Sequence, residues 1–398
     1  MPRGVARQKP FEFFVNSKGV NQDDGVLRLT PASAENIENM HPGKTGEYTT
    51  HNVGYDEFSD EIESGAALEG LFLFQDDDGT TAFVAVANGK IKEINSGTGA
   101  VDGTISTSNT SGNLVDFAPF KGSLYIVEEG MSPEVWTGPG TSASSASGVP
   151  ITVGADTYDN PSLVGTHANR LIYGNFNGST KYPSHLAIFD DLDPTTITIG
   201  SNDTNGAIIQ INPGDGDPLT ALKSKYIPSL SESILICFKK NSTWALSGTT
   251  PDTFKVDTVN SSWGCLNPRC AVDFGQDIAF MDKKNIYSLT TAAASGTLQP
   301  EALGSMKVQE TLQEMNLTAS DAAFAIHLPF RFEIWFCIPT GASTVPDTIL
   351  VYNYKHKGMD EAKWVIRRNM SATCGAVFNA SLYTGDDDGF INSWFLSS

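Results

Sequence analysis

The sequence predicts an all-β chain, and within that class a β-propeller of six or seven blades, seven being favoured, with an N-terminal arm and one or two short helices. Three observations carry this. A strand-rich unit recurs along most of the chain, the gaps between its apolar runs hold turn-forming residues, and the first part of the chain lacks the pattern. Of 398 residues 40% are hydrophobic and only 18% charged, while Gly (37) and Pro (20) are plentiful. That is enough apolar matter for a core, cut into many short strands joined by many turns.

Residues 1–65 form the arm. Arg3, Arg7 and Lys9 precede any acidic residue and make a short basic tip, either a solvated end or a docking peptide. Leu27 to Leu29 suit a short strand. Thr30-Pro31 opens a short helix from Pro31 to Met40, because Thr can cap it and Pro fits the first helical position. The helix stops near His41-Pro42-Gly43, and Ser59 to Ala66 reads as a linker.

Residues 66–398 carry the repeat. Units begin near Gly70, Leu114, Leu163, Leu219, Cys270, Ala322 and Cys374, roughly 45–55 residues apart, the period of blades with about four strands each. Second strands include Ala82-Phe83-Val84-Ala85-Val86 and Ile234-Leu235-Ile236-Cys237-Phe238; third strands include Glu134-Val135-Trp136 and Ile286-Tyr287-Ser288-Leu289. Each blade has apolar faces that only its neighbours can cover, so the units must close into a ring. The last unit is short. Either an N-terminal strand completes it or it belongs to the sixth blade. Val308, Leu312 and Met315 lie at helical spacing within Met306 to Met315 and predict a helix on the propeller's flank. Thr137 to Gly154, rich in Ser, Thr and Gly, reads as a surface loop.

The net charge of −20 argues against tight nucleic-acid binding, which needs Lys and Arg to neutralise phosphates. An acidic surface instead serves solubility, a salty habitat, or a wall to which DNA does not stick. No secretory apolar stretch opens the chain and no window of about 18 apolar residues exists, so neither export nor a membrane span is expected. The five cysteines (Cys237, Cys265, Cys270, Cys337, Cys374) are odd in number and scattered. They are expected to be reduced and buried, acting as small hydrophobes.

Asp76-Asp77-Asp78-Gly79, Asp386-Asp387-Asp388-Gly389 and Asp215-Gly216-Asp217 read as hairpin turns, since Gly accepts positive φ and the oxygen spacing of a calcium loop is missing. The six histidines (His41, His51, His167, His185, His327, His356) never fall at zinc spacing, and neither a nucleophile elbow nor a P-loop occurs. The turns of sialidase propellers and the Trp-Asp signature of WD40 blades are also missing. No catalytic residue, cofactor or metal is therefore expected. Trp136, Trp244 and Trp335 are expected to fill spaces between blades rather than to stack on sugars.

Gly19-Val20-Asn21-Gln22-Asp23-Asp24, Leu27 to Leu29, Ala34 to Asn39, and Val53-Gly54-Tyr55 follow one another in an order that resembles the opening of phage tail β-propeller proteins. In that family a double Gly and an Asn precede a short helix, and Arg-x-Gly-Tyr leads into the first strand. Here Lys18-Gly19 and Asn52-Val53 stand in those places. Ala168 to Gly174 with Pro183 to Phe189, and Trp263-Gly264-Cys265 with Asp277 to Met281, resemble later units of the family. The resemblance implies a structural virion protein in the tail nozzle, or tail hub, of a short-tailed bacteriophage. It would be a homo-hexameric ring assembled in the host cytoplasm below portal and adaptor, meeting the adaptor ring and fibres or needle, and passing DNA through its lumen without specific binding. Arg3, Arg7, Lys9, Asn21, Asp23 and Asp24 are the docking residues of the arm on this reading. The rival is a carbohydrate-binding or carbohydrate-cleaving propeller of a receptor-binding tail component.

Overall fold

The computed structural model describes residues 54–394 except 228–231, 276, 292–297, 304–306, 356–362 and 369, together with the backbone of 40–42 and 48–50. Its strands form seven four-stranded antiparallel sheets arranged as the blades of a propeller. The inner strands, in chain order from blade 1 to blade 7, are Leu68–Gln75, Val115–Phe120, Pro161–His167, Leu219–Ile227, Ala271–Phe274, Phe324–Leu328 and Cys374–Phe378. Each starts within two residues of its predicted unit start.

Blade 7 settles the blade count. Its fourth strand is Tyr55–Glu57, paired with Ile391–Trp394 in the register Tyr55↔Trp394, Asp56↔Ser393 and Glu57↔Asn392. An N-terminal strand thus clasps the C-terminal one and the ring closes at seven. These three residues were expected in the arm but belong to the ring. The linker that follows is also tied down: Ile62 N–H donates to Gly389 O at 2.9 Å, Ser59 Oγ accepts from Ile391 N–H at 2.9 Å, and Ile62 is buried.

The second strands, such as Thr81–Ala87 and Glu333–Ile338, are apolar after their first residue because a neighbouring blade covers each face. Trp136 and Trp335 are fully buried and meet rings of Phe74 at 5.1 Å and Trp394 at 5.6 Å. Trp244 is half-buried against the core shared by blades 3 and 4. All five thiols are unpaired and buried, which pushes Cys265 up to about 12 and Cys374 to about 11.

Other expectations need correction. The helix near 306–315 shortens to Gln309–Gln313 within the link from blade 5 to blade 6, with no side-chain cap, although Val308, Leu312 and Met315 are buried as expected. The loop from Thr137 to Gly154 contains the outer strand of blade 2, Ser144–Ser145, and half of a hairpin, Ile151–Val153 with Asp156–Tyr158. Buried Ala146 and Ile151 hold it down. The two Asp-rich runs ending in Gly79 and Gly389 do turn between strands, with φ of 84° and 92°. Asp215-Gly216-Asp217 is instead the link between blades 3 and 4. Asp215 meets the wholly buried Lys239 ammonium at 2.8 Å, and Asp217 accepts from Asn241 N–H and Nδ2 at 3.0 Å each. A buried ammonium needs a paired anion, and that need shapes the link. Of the helix expected over Pro31 to Met40 only Met40 is described, and it opens a strand, Met40–Pro42, paired with Tyr48–Thr50. The strand expected at Leu27 to Leu29 lies outside the described residues.

Candidate functional site in the axial channel

The inner strands surround an axial cavity of about 300 Å³, to which six of the seven blades contribute side chains or backbone. Leu71, Phe72, Phe117, Val272 and Ala325 supply apolar wall, with Phe72 and Phe117 stacked at 5.4 Å and 24°. Three charged residues enter it: Asp116 from blade 2, Lys223 from blade 4 and Arg269 from the link into blade 5.

Arg269 closes one end. It sits in the short 3-10 turn Pro268–Cys270, fixed by Asn267, whose side chain accepts from Arg269 N–H at 2.9 Å. From there the guanidinium reaches Glu69 O of blade 1 and Asp321 O of the link into blade 6, the latter at 2.8 Å. Blades 5 and 1 are not neighbours, so this side chain spans the ring. Its Nε–H is buried without an acceptor. Burial lowers the pKa of this guanidinium.

Asp116 Oδ2 accepts from Val164 N–H of blade 3 at 3.0 Å, and Oδ1 from Phe117 N–H at 3.0 Å. The carboxylate stitches two inner strands together at the channel wall. Enclosure by protein raises it from 3.8 to about 6, against the two N–H donors and the Lys223 charge, which favour ionisation. The unfolded chain ionises near 3.8 while the folded one keeps its proton to about 6. This group's stabilising preference for the fold is therefore complete below 3.8 and is lost as pH rises to 6, costing about 3 kcal/mol thereafter. Asp116→Asn, which still accepts one N–H, is expected to be more stable than the parent by about 1–2 kcal/mol at neutral pH, with the gap closing as pH falls through 6. Urea unfolding of both proteins in acid and at neutral pH checks this.

Beyond Arg269 lies a polar mouth of about 290 Å³, bordered by Asn113, Glu129, Lys240, Asn267 and Asp321. Two carboxylates hold its rim loop, 107–114. Glu128 accepts from Asn109 Nδ2 at 2.8 Å, Thr110 N–H at 2.9 Å and Asn113 Nδ2 at 2.9 Å. Glu69 accepts from Gly112 N–H at 2.8 Å. Among the described residues no three His, Cys, Asp or Glu side chains group as a metal site, and no helix is long and apolar enough to cross a membrane.

Arg3, Arg7, Lys9, Asn21, Asp23 and Asp24 lie outside the described residues. The sequence reading missed Asp116, Lys223 and Arg269. Their signal is a charge at or just before the first strand of a repeated unit, as in Leu114-Val115-Asp116-Phe117 and Pro268-Arg269-Cys270.

No family model and no curated protein matches the chain. Among solved structures, it is similar to the extracellular domain assigned to a hybrid two-component system of B. thetaiotaomicron, at 9% identity and a TM-score of 0.50, over 87% of this chain and 40% of that one. It is also similar to the computationally designed protein Ika8, at 12% identity and a TM-score of 0.46, over 85% and 99% of the two chains. BamB from Moraxella catarrhalis aligns at 10% identity and a TM-score of 0.44, over 83% of each chain. Likeness at this level concerns the fold alone.

Proposed function

We propose that this propeller is a structural virion protein: a subunit of a tail nozzle ring in a short-tailed bacteriophage, extending the DNA channel below portal and adaptor and helping to retain and pass the genome. The observation that carries the reading is an acidic sector across blades 7 and 1. Asp56 and Glu57 on the closing strand, Asp60 and Glu61 behind it, Asp102 on the outer strand of blade 1, and Asp387 and Asp388 at the turn are all exposed. Lys90 and Lys92, in the same sector, are both drawn to Glu63. Turned towards a common axis, such sectors would line a tube that repels DNA and lets it slide. The propeller's own channel is spanned by Arg269, so the duct on this reading is the lumen between copies. The order of motifs from Gly19 to Tyr55 supports the same family.

Like-charged copies repel, so rings should gather more readily as ionic strength rises. Light scattering of the purified full chain across a salt series, with negative-stain microscopy, is expected to show closed rings, six-fold on the family reading. A persistent monomer absent from any virion would contradict it. A glycan array separates the rival: binding there, with polysaccharide depolymerisation, would favour a receptor-binding component.

A further inference from the structure

We propose that the axial channel binds a small organic monocarboxylate with a flat apolar body, its anion taken by Lys223 and the Nε–H of Arg269 and its body lying against Phe72 and Phe117. The inference is independent of the nozzle reading.

The cavity wall carries one buried donor that lacks an acceptor and one half-buried ammonium. Arg269 has its terminal nitrogens committed to the carbonyls of Glu69 and Asp321, which leaves Nε–H buried and unanswered. Lys223, half-buried, lines the same space and brings its charge to bear on Asp116. A buried donor without an acceptor, as at the Arg269 Nε–H, is uncommon in folded proteins and calls for an explanation. One anion between the two cations supplies it, through charge-assisted hydrogen bonds.

Asp116 sets the charge of the ligand. Both its oxygens already accept backbone N–H groups, so it offers little to a cationic ligand. Its charge opposes a second negative charge beside Lys223. Two cations and one carboxylate leave a balance of one positive charge, which a monoanion neutralises and a dianion overshoots. Shape adds to this: the stacked pair Phe72 and Phe117 with Leu71 and Val272 makes a flat hydrocarbon wall. A volume of about 300 Å³ lies at the small end of ligand pockets.

The test uses the full chain and benzoate as the probe, with benzamide as its uncharged isostere and phthalate as its dianion, read by calorimetry and by thermal midpoint. Benzoate is expected to bind saturably at about millimolar concentration or tighter, with both controls at least about tenfold weaker. Lys223→Met should weaken benzoate about tenfold, Phe72→Leu should weaken it less, and Lys223→Gln repeats the first variant with a polar chain. Should the variants fail to fold, the ranking of the three ligands on the parent protein decides alone. Absence of benzoate binding at about ten millimolar, equal binding of benzamide or phthalate, or undiminished binding by a folded Lys223→Met protein would each overturn the proposal.

Discussion

Arg170→Ala is expected to cost about 4 kcal/mol, among the largest single effects available in this chain. Arg170 opens the second strand of blade 3 with 1% of its surface exposed. It donates to Phe189 O at 3.0 Å, Asn205 O at 2.7 Å and Thr249 O at 3.3 Å, and to Asp203 O. Those carbonyls belong to the long 189–206 connection and to a turn of blade 4. Alanine would strand the buried Phe189 carbonyl, worth about 1–3 kcal/mol. It would also release the carbonyls of the half-buried Asn205 and the exposed Asp203 and Thr249 from their charge-assisted bonds. Arg170→Lys should recover only part, because an ammonium cannot reproduce the fork of a guanidinium. Urea unfolding measures the loss, and faster proteolysis within 189–206 would locate it. A loss below about 1 kcal/mol would show that the connection is held by other contacts.

Trp394→Ala is expected to cost a similar amount, about 3–5 kcal/mol, with a different footprint. Trp394 is buried on the strand that receives the N-terminal clasp. Its Nε1–H donates to Thr384 Oγ1 at 2.7 Å, and its ring meets Trp335 edge-on at 5.6 Å and Tyr55 at 5.3 Å. Removing it takes the platform from under a clasp of three residue pairs, where the ring has its chain ends. Hydrogen exchange should rise in Tyr55–Glu57 and Ile391–Trp394 while the second strands of blades 3 and 4 keep their protection. Uniform loss of protection would mean that the ring opens only as a whole.

Blade spacing was legible because each inner strand begins with an apolar residue after a polar link, as at Leu219 and Cys374. The clasp was harder to see. Tyr55-Asp56-Glu57 is short and exposed, and its pairing with residues more than three hundred positions away leaves no local period. Asp215-Gly216-Asp217 looked like a hairpin because local turn chemistry resembles itself wherever it occurs. Only the buried Lys239, on another strand, reveals its task. The channel charges were invisible for the same reason: Asp116, Lys223 and Arg269 come from three blades or links and meet only when the ring closes. Sequence patterns report burial on a neighbour well and convergence on an axis poorly.

The central claim is that copies of this propeller surround the DNA path with blades 7 and 1 turned inward. Cryo-electron microscopy of the assembled full chain, resolved well enough to place Tyr55–Glu57, tests it most directly. The account predicts a closed ring whose lumen is faced by Asp56, Glu57, Asp60 and Asp102. A ring with that sector outward, or a chain that never assembles, would contradict it.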